Sequence, residues 1–266
     1  MTKDRLYLFD TTLRDGAQQE GMNLSVADKM AIAPLLDELG VGVIEGGWPG
    51  AVPKDTEFFS LLAKESTLKN AQLAAFGMTR RAGSTAAADP QVRALLDSEA
   101  PIVTLVCKAD IRHAERALRV SPDENLRMIE ETFAFLTGEG RRVIMDAEHF
   151  FDGYRFDADY SVRALEAAVA GGADTLCLCD TNGGMLPEDV TAIVGAVAGR
   201  VSTPLGMHAH NDSGCAVANS MAAVAAGATH VQGCVNGYGE RTGNADLIAV
   251  VANLEITKGL KVLAGD

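Results

Sequence analysis

Cationic side chains are scarce. Lys and Arg number 23 against 36 Asp and Glu, a formal net charge of −13, which excludes a sequence-independent grip on nucleic acid or on an anionic membrane. Any anionic ligand must therefore be met by a local cluster of donors or by a metal. Aromatics make up only 5% of the chain, with a single Trp, which argues against an aromatic-rich β-sandwich. No apolar run reaches the roughly 18–20 residues that a membrane span needs. The opening MTKDRLYLFD lacks the apolar stretch and cleavage site of a signal peptide. Five cysteines are an odd number without a disulfide-framework spacing, which fits a reducing compartment. A cytoplasmic globular protein is expected.

Glycine, by contrast, is plentiful at 27 residues, and short runs rich in Val, Ile and Leu recur. Eight such runs, at 5–13, 41–47, 71–78, 102–109, 142–150, 175–181, 204–210 and 230–237, are each followed by a longer helical pattern. Their shortness and apolarity fit strands covered on both faces. Ser25 to Asp28 forms a capping-box-like helix start, Ser121-Pro122-Asp123-Glu124 starts a helix with proline at its first position, and Pro187-Glu188-Asp189 reads the same way. Gly40, Gly171-Gly172 and Gly227 close helices just before the next strand, where glycine can take the left-handed conformation. Eight βα units of roughly 33 residues match a single-domain (β/α)8 TIM barrel of the α/β class. A doubly wound open sheet would require a Gly-rich phosphate loop after the first strand, and DTTLRDGAQ is not one. With no Pro- or Ser-rich linker, residues 1–266 read as one domain. The site of such a barrel lies at the C-terminal ends of its strands.

The polar groups at those ends carry the chemistry. His208 and His210 are two apart on the seventh strand, so they share a face at metal-ligand spacing; alone, the pair is as readily a packed or hydrogen-bonded strand end. Asp10 to Gly16 places Arg14 and Asp15 side by side, suited to an oxyanion and a metal respectively, or to a local salt bridge. Glu45 closes the second strand, and a carboxylate in so apolar a run needs a partner if buried; Arg14 is the candidate, and rim solvation the alternative. Asn236 to Asn244 is Gly-rich, which lets backbone approach a ligand and offers the Asn244 amide oxygen to a metal, although most such loops are only turns. Asp146, Glu148 and His149, with Asp180, Thr181 and Asn182, end the fifth and sixth strands and suit either substrate hydrogen bonding or rim solvation. Cys177 and Cys179 read as buried packing rather than a zinc site, and Cys107, Cys215 and Cys234 as small apolar fillers. Arg80-Arg81 and Arg141-Arg142 read as solvated ends, with the first pair also suited to a phosphate-bearing cofactor.

Together these strand ends resemble the DRE-TIM metallolyase superfamily, and within it the 2-isopropylmalate, homocitrate and citramalate synthases. The likeness rests on Leu13 to Gln18 followed by Lys29, on His208-x-His210-Asn211-Asp212-x-Gly214, and on Gly239-Glu240-Arg241-x-Gly243-Asn244. Ile44 to Gly50 and Asp146 to Gly153 are most similar to the citramalate-synthase-like branch. The resemblance implies a divalent metal (zinc, manganese, magnesium or cobalt) held by Asp15, His208, His210 and Asn244. It further implies that Arg14, held by Glu45, faces the substrate carbonyl, and that Thr181 and Glu148 help to bind a 2-oxo acid. The implied reaction is a Claisen-type condensation of acetyl-CoA with a small 2-oxo acid, pyruvate giving citramalate, in a homodimer with no nucleic-acid or membrane partner. A retro-aldol metallolyase on the same scaffold is the alternative, although the lyases' cysteine-bearing loop is not evident at 237–243. A catalytically silent barrel that binds metal or oxo acid is the third reading. Family synthases continue into helical and regulatory subdomains that supply a catalytic histidine and tyrosine to the partner subunit, and those residues are absent from these 266 positions. Homocitrate synthases carry arginine four residues before the position of Glu148; Ile144 stands there, which favours a small apolar side chain on the oxo acid.

Overall fold

The structure, a computed structural model, describes residues 6–65 and 68–264. Each expected apolar run holds a strand: β1 Tyr7–Asp10, β2 Val43–Gly47, β3 Gln72–Met78, β4 Ile102–Lys108, β5 Arg142–Glu148, β6 Thr175–Asp180, β7 Leu205–Ala209 and β8 His230–Gly233. Residue 5 of the first run lies outside the described residues. Every neighbouring pair is parallel, and β8 pairs with β1, so the sheet closes into an eight-stranded barrel. Closure rules out the open doubly wound sheet.

The helices are α1 Val26–Leu39, α2 Pro53–Glu65, α3 Pro90–Asp97, α4 Ile111–His113, α5 Pro122–Gly138, α6 Phe150–Phe156, α7 Ala158–Ala170, α8 Pro187–Ala198, α9 Ala216–Ala225 and α10 Leu247–Ala252. Among them none is long and apolar enough to cross a membrane. Helix α1 begins with a full capping box, the Ser25 hydroxyl accepting from the Asp28 amide while the Asp28 carboxylate accepts from the Ser25 amide. Ser121 caps α5 in the same sense, with Pro122 in the first turn, where its missing N–H costs nothing. Gly40, Gly172 and Gly227 all have positive φ.

Apolar burial divides in two. A large cluster lies between the helices and the outside of the barrel. A smaller one, Phe9, Val43, Ala74, Ile102 and Ile144, plugs the interior. Because side chains alternate along a strand, Asp146 lies one step above Ile144 on the same face, and Glu148 one step higher at the mouth. The strands are shorter than the runs at their C-terminal ends for a local reason. Beyond β1 the Asp10 carboxylate accepts from the Thr12 amide at 3.0 Å and from its hydroxyl at 2.7 Å, which turns the chain out of the sheet. Burial pushes the Asp10 carboxyl up to about 7, against these hydrogen bonds. Beyond β5, His149 takes a left-handed φ of 54° and α6 starts at once.

Candidate active site

Strand alternation delivers His208 and His210 to the same side of the barrel mouth, and the turn after β1 delivers Asp15 against them. The two Nε2 atoms are 3.1 Å apart. Asp15 Oδ2 lies 3.2 Å from the first and 3.9 Å from the second. Ligands bound about 2.0–2.2 Å from one ion stand roughly 3.0–3.5 Å from one another in tetrahedral or octahedral arrangements; the 3.1 and 3.2 Å separations fall in that range, and the 3.9 Å one would have to close by a few tenths of an ångström for all three to share a cation. Asn244 joins them: its Nδ2 donates to Asp15 Oδ2 at 2.5 Å, while its Oδ1 is buried without a partner among the described residues. The N/O donors of Asp15, His208 and His210 fit a divalent metal, whereas Asn244 Oδ1 lies against Gly239 and would reach a cation there only with the amide turned over. The sequence expectation had Asn244's oxygen on the metal side; in the structure it is the nitrogen that faces Asp15.

The electrostatics favour the ligating forms of two of the three. Burial opposes the Asp15 charge, yet the Arg14 guanidinium and the His208 hydrogen bond outweigh it and hold the carboxyl well below its ordinary range. Burial and the neighbouring His208 push His210 down to about 3, so its ring is neutral. His208 is displaced upward, burial being outweighed by its hydrogen bond to Asp15 and that carboxylate's charge; a cation placed between them would take over the proton's role.

Arg14 sits where the sequence placed it. Its Nε donates to Glu45 Oε2 at 2.6 Å and its Nη1 to Asp15 Oδ1 at 3.0 Å, with the guanidinium carbon 3.8 Å from the centre of the Phe76 ring. Glu45 is fully buried, so the rim-solvated alternative is excluded. Burial pushes its carboxyl up to about 7, Arg14 pulling it down and Asp146 adding to the rise. Despite its own burial, Arg14 is held above its ordinary value by Glu45, Asp15 and Asp146. The guanidinium is thus fixed by two carboxylates and a ring face.

Arg14, Asp15, His208 and His210 open into a cavity of about 280 Å³ lined also by Glu148, Thr181, Trp48, Phe76, Met78 and Val106. Sequence reasoning missed Lys108, which lies in register with Glu148 and is ion-paired to it at the mouth. The two-residue step from Val106 was the available signal. Thr181 presents its hydroxyl oxygen to the His149 amide at 2.8 Å. Ile144 does not line the cavity; it belongs to the interior plug, and the apolar side of the cavity is made by Phe76, Met78 and Val106 instead.

The Gly-rich loop after β8 is a built structure rather than a loose turn. A Cβ on Gly243 would stand 2.1 Å from the Gly237 carbonyl oxygen. Arg241 ties the loop to Asp212 at 2.8 Å and to the Thr181 carbonyl at 2.8 Å. Lys29 lies away from the cavity. Its ammonium is buried, bonded to the Gly46 carbonyl at 2.8 Å and to Asp55 at 2.5 Å, and Asp55 accepts the Trp48 amide at 2.8 Å. Lys29 therefore pins the loop that carries Trp48. Two other expectations are corrected. Arg80 is a buried residue paired to Glu124 and Glu131 of α5 rather than a solvated end, leaving only Arg81 exposed. Cys107, Cys177, Cys179 and Cys234 are buried as expected, whereas Cys215 is only half-buried.

Fold and site define a (β/α)8 barrel whose mouth gathers an Asp-His-His group beside a clamped arginine. The HMGL-like family profile matches residues 5–264, and the chain belongs to that family. It is 58% identical over 260 residues to an (R)-citramalate synthase of Streptomyces coelicolor, covering 98% of this chain and 49% of that protein. An (R)-citramalate synthase of Aquifex aeolicus is 49% identical over 261 residues, again at 98% and 49% coverage. The chain thus spans about half the length of these curated relatives. Among solved structures, HMG-CoA lyase from Brucella melitensis superposes with a TM-score of 0.80 at 19% identity, over 97% of this chain and 92% of that one. At that identity the likeness is one of fold.

Proposed function

We propose that the chain condenses acetyl-CoA with pyruvate to give citramalate and free CoA, with Asp15, His208, His210 and Asn244 as the residues that hold a divalent metal. The observation that carries this reading is the convergence of Asp15, His208 and His210, within ligand-sharing distance, beside Arg14 and a small apolar wall. A bound divalent cation would chelate the 2-oxo acid and polarise its keto group as a Lewis acid; the mixed N/O donors do not choose among zinc, manganese, magnesium and cobalt. Arg14, kept charged and aimed by Glu45, stabilises the alkoxide oxygen as the methyl carbon of the thioester attacks the keto carbon. Thr181 and Glu148 orient the oxo acid, and the wall of Phe76, Met78 and Val106 accommodates a methyl group. One methyl proton leaves acetyl-CoA, one proton reaches the new alkoxide, and water cleaves the thioester to release CoA. A second cavity of about 540 Å³ shares Trp48 and Met78 with the first and has Arg81 in its lining, which gives the thioester arm room and its phosphates a cation. The homodimer implied by the family likeness is part of this proposal, as is the reading of this chain as the catalytic barrel of the longer relatives.

The test is incubation with pyruvate, acetyl-CoA and a divalent metal, assayed for free thiol. Thiol release that requires both substrates supports the proposal. Cleavage of a hydroxyacyl-CoA or a hydroxy-oxo acid in its place supports the retro-aldol alternative. Tight binding of pyruvate without turnover supports the silent barrel.

A further inference from the structure

Gln232 is an amide buried in the barrel interior with both ends committed. It lies on β8, in register with His208 on one side and Phe9 on the other, and is 0% exposed. Its Oε1 stands 2.8 Å from Nδ1 of His208. Its Nε2 donates at 2.8 Å to Oδ1 of Asp146, reached across the interior from β5. The order of the chain decides the state of the imidazole. A carboxyl oxygen that bears no proton can only accept, so Asp146 Oδ1 takes the donor end of the amide. The acceptor end is thereby turned to His208, whose Nδ1 must carry the proton. Nε2 is the atom that stands 3.1 Å from His210 Nε2 and 3.2 Å from Asp15 Oδ2; without a cation its proton is shared with the Asp15 carboxylate, and with one in place it is the Nε2 lone pair that would face the ion. Asp146 sets this polarity whether or not its other oxygen is protonated.

We propose that Gln232 and Asp146 are positioning residues, a two-step relay that fixes the tautomer and ring plane of His208 so that Nε2 faces the metal position. This inference rests on the reading of Asp15, His208 and His210 as metal ligands. Partners of this kind behind a ligating histidine typically change metal affinity by about 10–100-fold. A residue that merely filled the interior would affect stability and leave the imidazole's proton where it was.

Three variants separate these roles. Gln232→Met keeps the length of the side chain and removes both hydrogen bonds. Gln232→Glu keeps the acceptor for His208 while facing Asp146 with a second carboxyl. Asp146→Asn keeps the shape but permits the Gln232 amide to turn over. Zinc and manganese affinities are read by competition with a chelator, thermal midpoints by calorimetry, and the His208 tautomer, as the retention of the Nδ1 proton, by nitrogen NMR of the metal-free chain at mildly alkaline pH. Gln232→Met is expected to weaken metal binding about 10–100-fold and to mix the two tautomers. Gln232→Glu is expected to lose stability but hold metal within about threefold of wild type, so that affinity and stability part company. Asp146→Asn is expected to mix the tautomers although Gln232 is intact. Wild-type affinity and an unmixed tautomer in Gln232→Met overturn the relay. A wild-type chain that takes up neither zinc nor manganese contradicts the metal centre itself. In that event a tautomer that still mixes in Gln232→Met upholds the hydrogen-bond relay, and one that does not removes it as well.

Discussion

Asp15 is bordered by a guanidinium on one side and two imidazoles on the other, and each neighbour has a separate task. The imidazoles share its outward oxygen, whereas Arg14 bonds its other oxygen and is gripped from behind by Glu45. Arg14 is thus aimed by a two-point fork, and a lysine ammonium offers no equivalent. Arg14→Lys is expected to retain one metal ion per chain while turnover falls by about 10²–10³, the usual loss when a preorganised oxyanion donor is removed. Metal analysis beside steady-state rates checks this. Unchanged turnover removes Arg14 from the chemistry, and lost metal makes it part of the cation site. At this scale much of the site was legible in the sequence. His208 and His210 follow from the period of a strand, and Glu45 from the cost of burying a carboxylate without a partner. The pairing of Lys108 with Glu148 and that of Gln232 with His208 were not legible. Both contacts depend on how strands align around the barrel, which spacing along one strand does not encode.

Local rules and long-range packing divide the elements between them. The capping box of α1, the Ser121 cap of α5 and the left-handed glycines are local, and the structure contains them all. Strand ends were overextended because residues such as Thr12 and His149 leave the sheet through side-chain bonds and a left-handed backbone, neither of which is visible in hydropathy. Arg80 failed as a surface reading for the complementary reason: its partners Glu124 and Glu131 come from α5, more than forty positions away. Lys29 shows how a signature residue can act by supporting an element. Its pairing with Asp55 holds the β2–α2 loop in place, so Lys29→Met leaves a buried carboxylate with only the Trp48 amide. Breaking one side of a buried pair costs about 3–5 kcal/mol, and denaturant unfolding should show a loss of that order. Metal affinity should stay near wild type; a selective loss of metal with unchanged stability would place Lys29 in the site instead.

Across the whole molecule, the barrel interior also holds an ionisable group set away from the mouth. His230 is fully buried, with neither ring nitrogen bonded among the described residues, its ring 5.1 Å from that of Phe9. Burial pushes its pKa down to about 3, with smaller and opposed contributions from Asp174 and Arg142. The unfolded chain therefore takes up a proton below about pH 6.5 that the folded chain refuses. Its contribution to stability is complete above that pH and erodes as the pH falls toward 3, by up to about 1.4 kcal/mol per pH unit. In urea unfolding between about pH 6.5 and pH 4, His230→Leu should lose roughly one proton's worth of this slope, and an unchanged slope would refute the assignment. The barrel as a whole brings together Asp15, His208 and His210, separated by nearly two hundred positions, and the proposal is that they share one ion. X-ray absorption of the zinc-loaded chain tests that claim most directly. Two imidazole ligands with oxygen donors and no sulfur are expected at one ion per chain. A zinc shell containing sulfur, drawn from Cys177 and Cys179 beside Asp146, or one lacking the imidazole pair, would contradict it.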